Sequence, residues 1–172
     1  MQPPPTATSV VGPKVVFQDD MENGTGGWVV SGSTSKWHRS THRSNSTSTS
    51  WYYGIEGAWN FATGARTNGT LTSQAINLAG ATQAELAFYE WSELEADTGY
   101  DRTRVRISTN GSTWSTVFES HGTSGVWVKR TVNLGAYLGK TVYVRFWFDS
   151  VDGLYNESEG WYVDDVRVTV SP

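Results

Sequence analysis

Apolar and polar side chains alternate with a period of two along most of this chain. In "TVYVRFWFD" (141–149), Val142, Val144, Phe146 and Phe148 share one phase, and Tyr143, Arg145 and Trp147 take the other. That period belongs to a strand with one buried face. The same pattern sets Leu86 and Phe88 against Tyr89 and Trp91 in "AELAFYEW", and Val105 and Ile107 against Arg104 and Arg106 in "TRVRIST". "KVVFQDDM" puts Val15, Phe17 and Met21 on one face, with Asp20 and Glu22 on the other. Asn110-Gly111 between "TRVRIST" and "STWSTVFES" predicts a hairpin turn. No stretch carries a 3.6-residue apolar period over three turns. The pattern predicts an all-β fold, most simply a two-sheet sandwich with its first and last strands paired or adjacent.

The last strand, "GWYVDDVRVTV" (160–170), breaks its own rhythm. Trp161 and Val163 hold one phase, Val166, Val168 and Val170 the other, and the change falls at Asp164-Asp165. One extra residue in a β-bulge produces such a flip, and bulges often sit beside functional sites.

A chain of 172 residues suits one domain with a sizeable core. All the prolines lie at positions 3, 4, 5, 13 and 172, so nothing interrupts strand pairing in between. Residues 1–13 read as a flexible Pro-rich interdomain linker and 14–172 as a single β-sandwich domain. The start lacks the charged end and apolar core of a signal peptide. A net charge of −4 argues against a nucleic-acid backbone as partner, and no apolar run is long enough to span a bilayer. Cysteine is absent, so disulfides and thiolate sites are excluded. N-x-S/T sequons occur at Asn23, Asn45, Asn68, Asn110 and Asn156, as loops rich in Ser, Thr and Asn produce by chance.

Four stretches, "FQDDMENGTGGW", "WHRSTHRSNSTSTSWYYG", "GARTNGTLTSQAINL" and "VRFWFDSVDGLYNESEGWYVDDVRV", together resemble one family. It is the jelly-roll accessory domains of secreted bacterial enzymes, especially immune-inhibitor-A-type metallopeptidases, related in pattern to MAM domains. Jelly-roll carbohydrate-binding modules are more distantly similar. The resemblance covers the chain after residue 14. It implies a jelly-roll β-sandwich (galactose-binding-like or MAM-like) and a secreted or cell-surface, non-catalytic module beside a hydrolase catalytic domain.

The acids at the two ends carry the first candidate chemistry. Read as a strand, residues 20–22 project Asp20 and Glu22 from one face, and a neighbouring final strand can bring Asp164 or Asp165 to meet them. Calcium, or sodium, takes six to eight oxygens from carboxylates, carbonyls and water. The resemblance implies a structural cation there, with Glu22 as the early glutamate, Asp20 its acidic neighbour and Asp164-Asp165 the closing pair. The bland alternative is edge charge that discourages strand addition. A second acidic set comprises Glu93, Glu95, Asp97 and Asp101 in one loop and Asp149, Asp152, Glu157 and Glu159 in another. Either a second cation bridges these loops, or Asp101 and Asp149 pair with Arg102, Arg104, Arg106 or Arg145, and pairing is the commoner outcome.

His38 and His42 form H-x-x-x-H in a loop-like context without the glutamate of a zinc peptidase. No nucleophile elbow, P-loop or dinucleotide fingerprint occurs, and an enzyme is not favoured. Trp91, Arg104, Arg106, Tyr143, Arg145 and Trp147 fall on the non-core phase, where aromatics and arginines suit a polysaccharide. Trp51, Tyr52, Tyr53 and Trp59 form a second aromatic patch, unless they are packing residues or cover a sheet face. The reading is a calcium-stabilised accessory module for substrate or surface attachment, or a spacer, with polysaccharide or extracellular protein as partner. The alternative is a carbohydrate-binding module using the Trp/Tyr/Arg face.

Overall fold

A computed structural model describes residues 12–172. The linker expected over 1–13 falls almost wholly outside the described residues. The chain forms β1 (Lys14–Asp19), β2 (Val29–Ser31), β3 (Trp37–Ser40), β4 (Ser50–Tyr53), β5 (Asn68–Thr72) and β6 (Ile76–Asn77). After these come β7 (Gln83–Glu93), β8 (Arg102–Ser108), β9 (Ser115–Ser120), β10 (Val128–Asn133), β11 (Thr141–Asp149) and β12 (Gly160–Ser171). Among the described residues the one helical element is a 3-10 turn at Gly135–Tyr137.

The strands make two antiparallel sheets. The first runs β10-β7-β12-β4-β3, with β1 also paired to β12, and the second β2-β5-β11-β8-β9, with β6 beside β11. First and last strands therefore pair, as the pattern predicts. The two sheets form a jelly-roll sandwich, and the alternating residues of β7, β8 and β11 fill the space between them. Leu86, Phe88, Val105, Ile107, Val142, Val144, Phe146 and Phe148 are all buried in one cluster. Phe88 meets Phe146 across the sandwich at 5.2 Å in an edge-to-face contact, and Phe146 meets Trp161 at 5.8 Å. The Asn110-Gly111 turn joins β8 to β9, with Gly111 at φ +73°.

The bulge in β12 is present and has a topological reason. On one side β12 pairs continuously with β7, but Asp164 lies opposite Tyr89 and Arg167 opposite Ala87. Two residues of β12 thus answer Phe88 alone, and Asp165 adopts φ +49°. On the other side the partner changes at this point: β4 pairs with Trp161–Val163, and β1 with Val166–Val170. Trp161, Val163, Val166 and Val168 all reach the core, so the flip keeps both halves of β12 inward.

The first strand departs from simple alternation. A register shift between Val15 and Phe17 leaves Val15 exposed and turns Val16 toward the core. β1 ends at Asp19 and Met21 takes φ +61°, so Asp20 and Glu22 lie beyond the strand and not on its face as expected.

Candidate functional site

Three of the four end acids, Glu22, Asp164 and Asp165, turn their carboxylates to one segment, the Ser/Thr/Asn-rich loop 41–49 between β3 and β4, and Asp20 meets it only through its backbone carbonyl. Burial of Asp164 at the bulge is complete. Its carboxylate accepts hydrogen bonds from the Asn45 and Ser46 backbone N–H groups (2.7 and 3.0 Å), the Ser46 hydroxyl (3.1 Å) and the Asp165 N–H (2.7 Å). Asp165 accepts from Asn45 Nδ2 at 2.7 Å. Glu22 accepts from Ser48 N, Thr49 N (both 2.8 Å) and Ser48 Oγ (2.6 Å). The Asp20 carbonyl accepts from Ser46 Oγ at 2.9 Å, while its carboxylate accepts from Glu22 N.

Burial pushes the Asp164 carboxyl up to about 6, against the pull of the loop N–H groups and with a further push from Asp165. Glu22 moves the other way: the Ser48 hydroxyl and the Ser48 and Thr49 N–H groups hold it below 4.5. Every group offered here is an oxygen, which suits a hard cation and no thiophilic or imidazole-seeking metal. Among the described residues, no three His, Asp or Glu side chains are gathered closely enough to form a metal-holding group.

The second candidate constellation divides. Arg104 and Arg106 on β8 and Tyr143, Arg145 and Trp147 on β11 share the outer face of the second sheet. Arg104 lies opposite Trp147, and Arg106 directly opposite Arg145. Arg106 stacks on Trp147 at 4.4 Å and Arg104 at 5.2 Å. Trp114, missed by the sequence reading because it precedes β9, receives Arg145 at 3.6 Å. Arg104 pairs with Glu119 at 3.1 Å, whereas Arg106 and Arg145 have no carboxylate within ion-pair reach among the described residues. Burial lowers the pKa of both, with Arg104 adding to the fall at Arg106 and Arg106 adding to it at Arg145, while Glu119 and Asp149 pull Arg106 back up. The Nε atoms of Arg104 and Arg106 are buried without a hydrogen-bond partner.

Trp91 does not join this face. It lies in the first sheet, on the outer side of β7, in a buried cluster with Tyr52 and Tyr162. Trp59 and Trp127 cover that cluster, and Arg43 sits 4.0 Å over the Trp91 ring. Trp59, in the loop after β4, thus closes over the outer face of the first sheet, while Trp51 and Tyr53 of β4 itself belong to the core. His38 contacts Glu56 at 2.9 Å and His42 stacks on Trp59 at 3.7 Å, so H-x-x-x-H converges on no common ligand position.

Arginine pairing of the second acidic set is corrected in its partners. Asp149 makes a two-pronged pair with Arg66 (2.7 and 2.6 Å), none of the anticipated arginines being involved. Arg66 stands just before β5, where Asn68 lies opposite Asp149. Glu159 is bound by Arg43, and among the described residues Asp101 pairs with no arginine. Glu90 went unnoticed because a glutamate on the core phase of β7 has no signature in alternation. It is buried and accepts from Arg130 Nε (2.8 Å), Trp161 Nε1 (2.9 Å) and Ser120 Oγ (3.0 Å).

No family model matches the chain. It is 29% identical over 153 residues to Bacillopeptidase F of Bacillus subtilis, covering 87% of this chain and 10% of that protein. It is 33% identical over 107 residues to the pre-pro-metalloprotease PrtV of Vibrio cholerae, covering 57% of this chain and 11% of that protein. The chain therefore spans about a tenth of the length of the curated relatives it matches. Among solved structures, it superposes on a cleaved adhesin domain of Lys-gingipain from Porphyromonas gingivalis with a TM-score of 0.63 at 17% identity. That match covers 91% of this chain and 98% of the other. A xylan-binding domain from Paenibacillus barcinonensis gives a TM-score of 0.58 at 12% identity, over 96% of this chain and 98% of that one. The expected resemblance is shown at both levels: the sequence is similar to stretches making up about a tenth of two peptidases, and the fold to jelly-roll adhesin and carbohydrate-binding domains.

Proposed function

We propose that this domain is a non-catalytic, extracellular accessory module of a hydrolase, of peptidase type, that attaches the parent chain to an acidic polysaccharide. The parent's catalytic domain is its covalent neighbour. The contact surface is the outer face of the second sheet, and the observation that carries this reading is the Arg106–Arg145 pair. Like charges directly opposite one another on adjacent strands are destabilising, yet these two stand together with no carboxylate within ion-pair reach among the described residues, Glu119 and Asp149 acting on Arg106 only from farther off, in a chain of net charge −4. A carboxylate-bearing sugar would satisfy both, and guanidiniums held over the Trp147 and Trp114 rings, that of Arg145 also fixed by Nε donating to Thr72 Oγ1, keep their Nη–H edges ordered for bidentate contact. Polysaccharide is preferred to an acidic peptide because the surface is an open strand face flanked by indoles, and structural neighbours include xylan- and galactotriose-binding domains. Affinity electrophoresis tests this. Wild-type protein is retarded in gels containing polygalacturonate and runs freely in neutral xylan; equal retardation by both, or by neither, refutes the reading.

Calcium at the loop 41–49 completes the proposal. Asp164 is a buried carboxylate with no cationic partner among the described residues, and Asp165, Glu22 and the Asp20 carbonyl reach the same loop, so one hard cation would offset the buried charge and clamp β1 to β12. Calcium chloride at about a hundredfold excess over the dissociation constant should stabilise EDTA-stripped protein by about 2.7 kcal/mol, a melting shift of several degrees. Glu22→Gln should shrink that shift; an undiminished shift in Glu22→Gln refutes the assignment.

A further inference from the structure

On the outer face of the second sheet, side chains stand in rows across the strands, and successive rows lie two residues, about 6.8 Å, apart. One row reads Thr72, Arg145, Arg106, Thr116 across β5, β11, β8 and β9. It holds two cations and no acid. The next row reads Thr70, Trp147, Arg104, Glu119 across the same four strands. There Glu119 reaches Arg104 at 3.1 Å and His121 at 3.8 Å. On the other side of the arginine pair, Tyr143 stands opposite Ser108, and neither is charged. Of these three rows, only the middle one carries positive charge that no carboxylate answers within ion-pair reach among the described residues.

Glu119 is placed to act on a ligand as well as on Arg104. The two side chains are 31% and 21% exposed, so the carboxylate stays open to whatever lies along β8. Its charge also reaches Arg106. On a face built of arginines, such a carboxylate competes with any anion that arrives: it already engages one guanidinium, and it repels a second negative charge brought up beside it. A repulsive element of this kind discriminates between partners that attraction alone would accept equally.

We propose, on the reading of this face as an attachment surface for acidic polysaccharide, that Glu119 sets the charge spacing the face accepts. The favoured polymer has acidic units alternating with neutral ones, over a polymer charged at every unit. A uronate carboxylate enters at Arg106 and Arg145. In an alternating polymer, the next unit along the strands brings only hydroxyls to the row of Thr70, Arg104 and Glu119, and Glu119 accepts hydrogen bonds from them. In a uniformly charged polymer, the same position carries a second carboxylate, which meets Glu119 while Arg104 is already engaged. Such a polymer still binds through the arginine pair, but it is repelled at the second row.

The test is calorimetric titration of two oligosaccharides of equal length into wild type and Glu119→Gln. One is oligogalacturonate, charged at every unit; the other is a hyaluronan oligomer, in which glucuronate alternates with N-acetylglucosamine. The glutamine oxygen can still accept from Arg104, so the variant removes the charge and keeps the contact. The readout is the ratio of the two affinities, which Glu119→Gln should shift about fivefold toward galacturonate, the scale of one partly exposed charge interaction. An unshifted ratio, whether neither ligand changes or both tighten equally, overturns the proposal and leaves the attachment reading standing on wild-type binding. Wild type that binds galacturonate and not hyaluronan does the same. Wild type that binds neither overturns the attachment reading and the proposal with it. Should Glu119→Gln fail to fold, Glu119→Ser, which removes the carboxylate and its bond from edge strand β9, decides by the same ratio.

Discussion

Replacing Glu90 by alanine would remove a single acceptor that three elements share. Its carboxylate receives Arg130 from β10, Trp161 from the adjacent β12 and Ser120 from β9 in the opposite sheet. Trp161 is fully buried, so its indole N–H has no water to turn to once Glu90 is gone. Stranding a buried donor costs about 1–3 kcal/mol; with the Trp161 N–H and the Ser120 hydroxyl both losing their acceptor, and the partly exposed Arg130 able to turn to water, the loss is about 3–5 kcal/mol in all. At about 2–4 °C per kcal/mol for a chain of this size, the melting temperature should fall by roughly 10 °C. Glu90→Gln is the graded control. Its amide oxygen can still accept from Trp161 and Ser120, but its amide NH2 then faces the Arg130 N–H, donor against donor. Its loss should be about half that of alanine, on the order of 2 kcal/mol. Scanning calorimetry and urea unfolding of wild type and both variants measure this directly. An alanine variant within about 1 kcal/mol of wild type, or Gln and Ala variants that coincide, would refute the view that Glu90 locks the sheets together.

Two other perturbations follow from local geometry. Gly160 opens β12 at φ +115°, and a Cβ there would run into the Tyr53 carbonyl and the Tyr52 ring; Gly160→Ala should destabilise by about 1–3 kcal/mol in urea unfolding. Burial alone would raise the Glu159 carboxyl, but the Arg43 fork and the Tyr162 hydroxyl outweigh it and hold the group below 4.5. Its folded value lies below its unfolded one, so that stabilisation is present above pH 4.5 and is lost as pH falls through the depressed folded value. Arg43→Gln should flatten this acid limb in a stability–pH series, and an unchanged limb would show that Arg43 does not set it.

What alternation could reveal was the face each residue takes, and it did so for β7, β8, β11 and β12. The phase flip at Asp164-Asp165 was readable because valines on either side of it must both reach the core. Alternation does not say which sheet a strand joins, so Trp91 and Trp147 looked like neighbours although they lie on opposite outer faces. Left-handed backbone at Met21 is equally silent in sequence, and it took Asp20 and Glu22 off the strand expected to carry them. Arg66 and Asp149 are brought together by β5–β11 register, which is long-range information. Glu90 emerges only when hydrogen bonds are traced atom by atom.

The reading of this domain as an attachment module rests most heavily on Arg106 and Arg145. Calorimetric titration of oligogalacturonate into wild type and the Arg106→Gln/Arg145→Gln double variant tests it most directly, with an acidic peptide of equal charge as the competing ligand. We expect wild type to bind the sugar, the variant to lose at least about tenfold in affinity, and rising salt to weaken what remains. Sugar binding that is identical in the variant, or binding of the peptide in place of the sugar, would contradict the account.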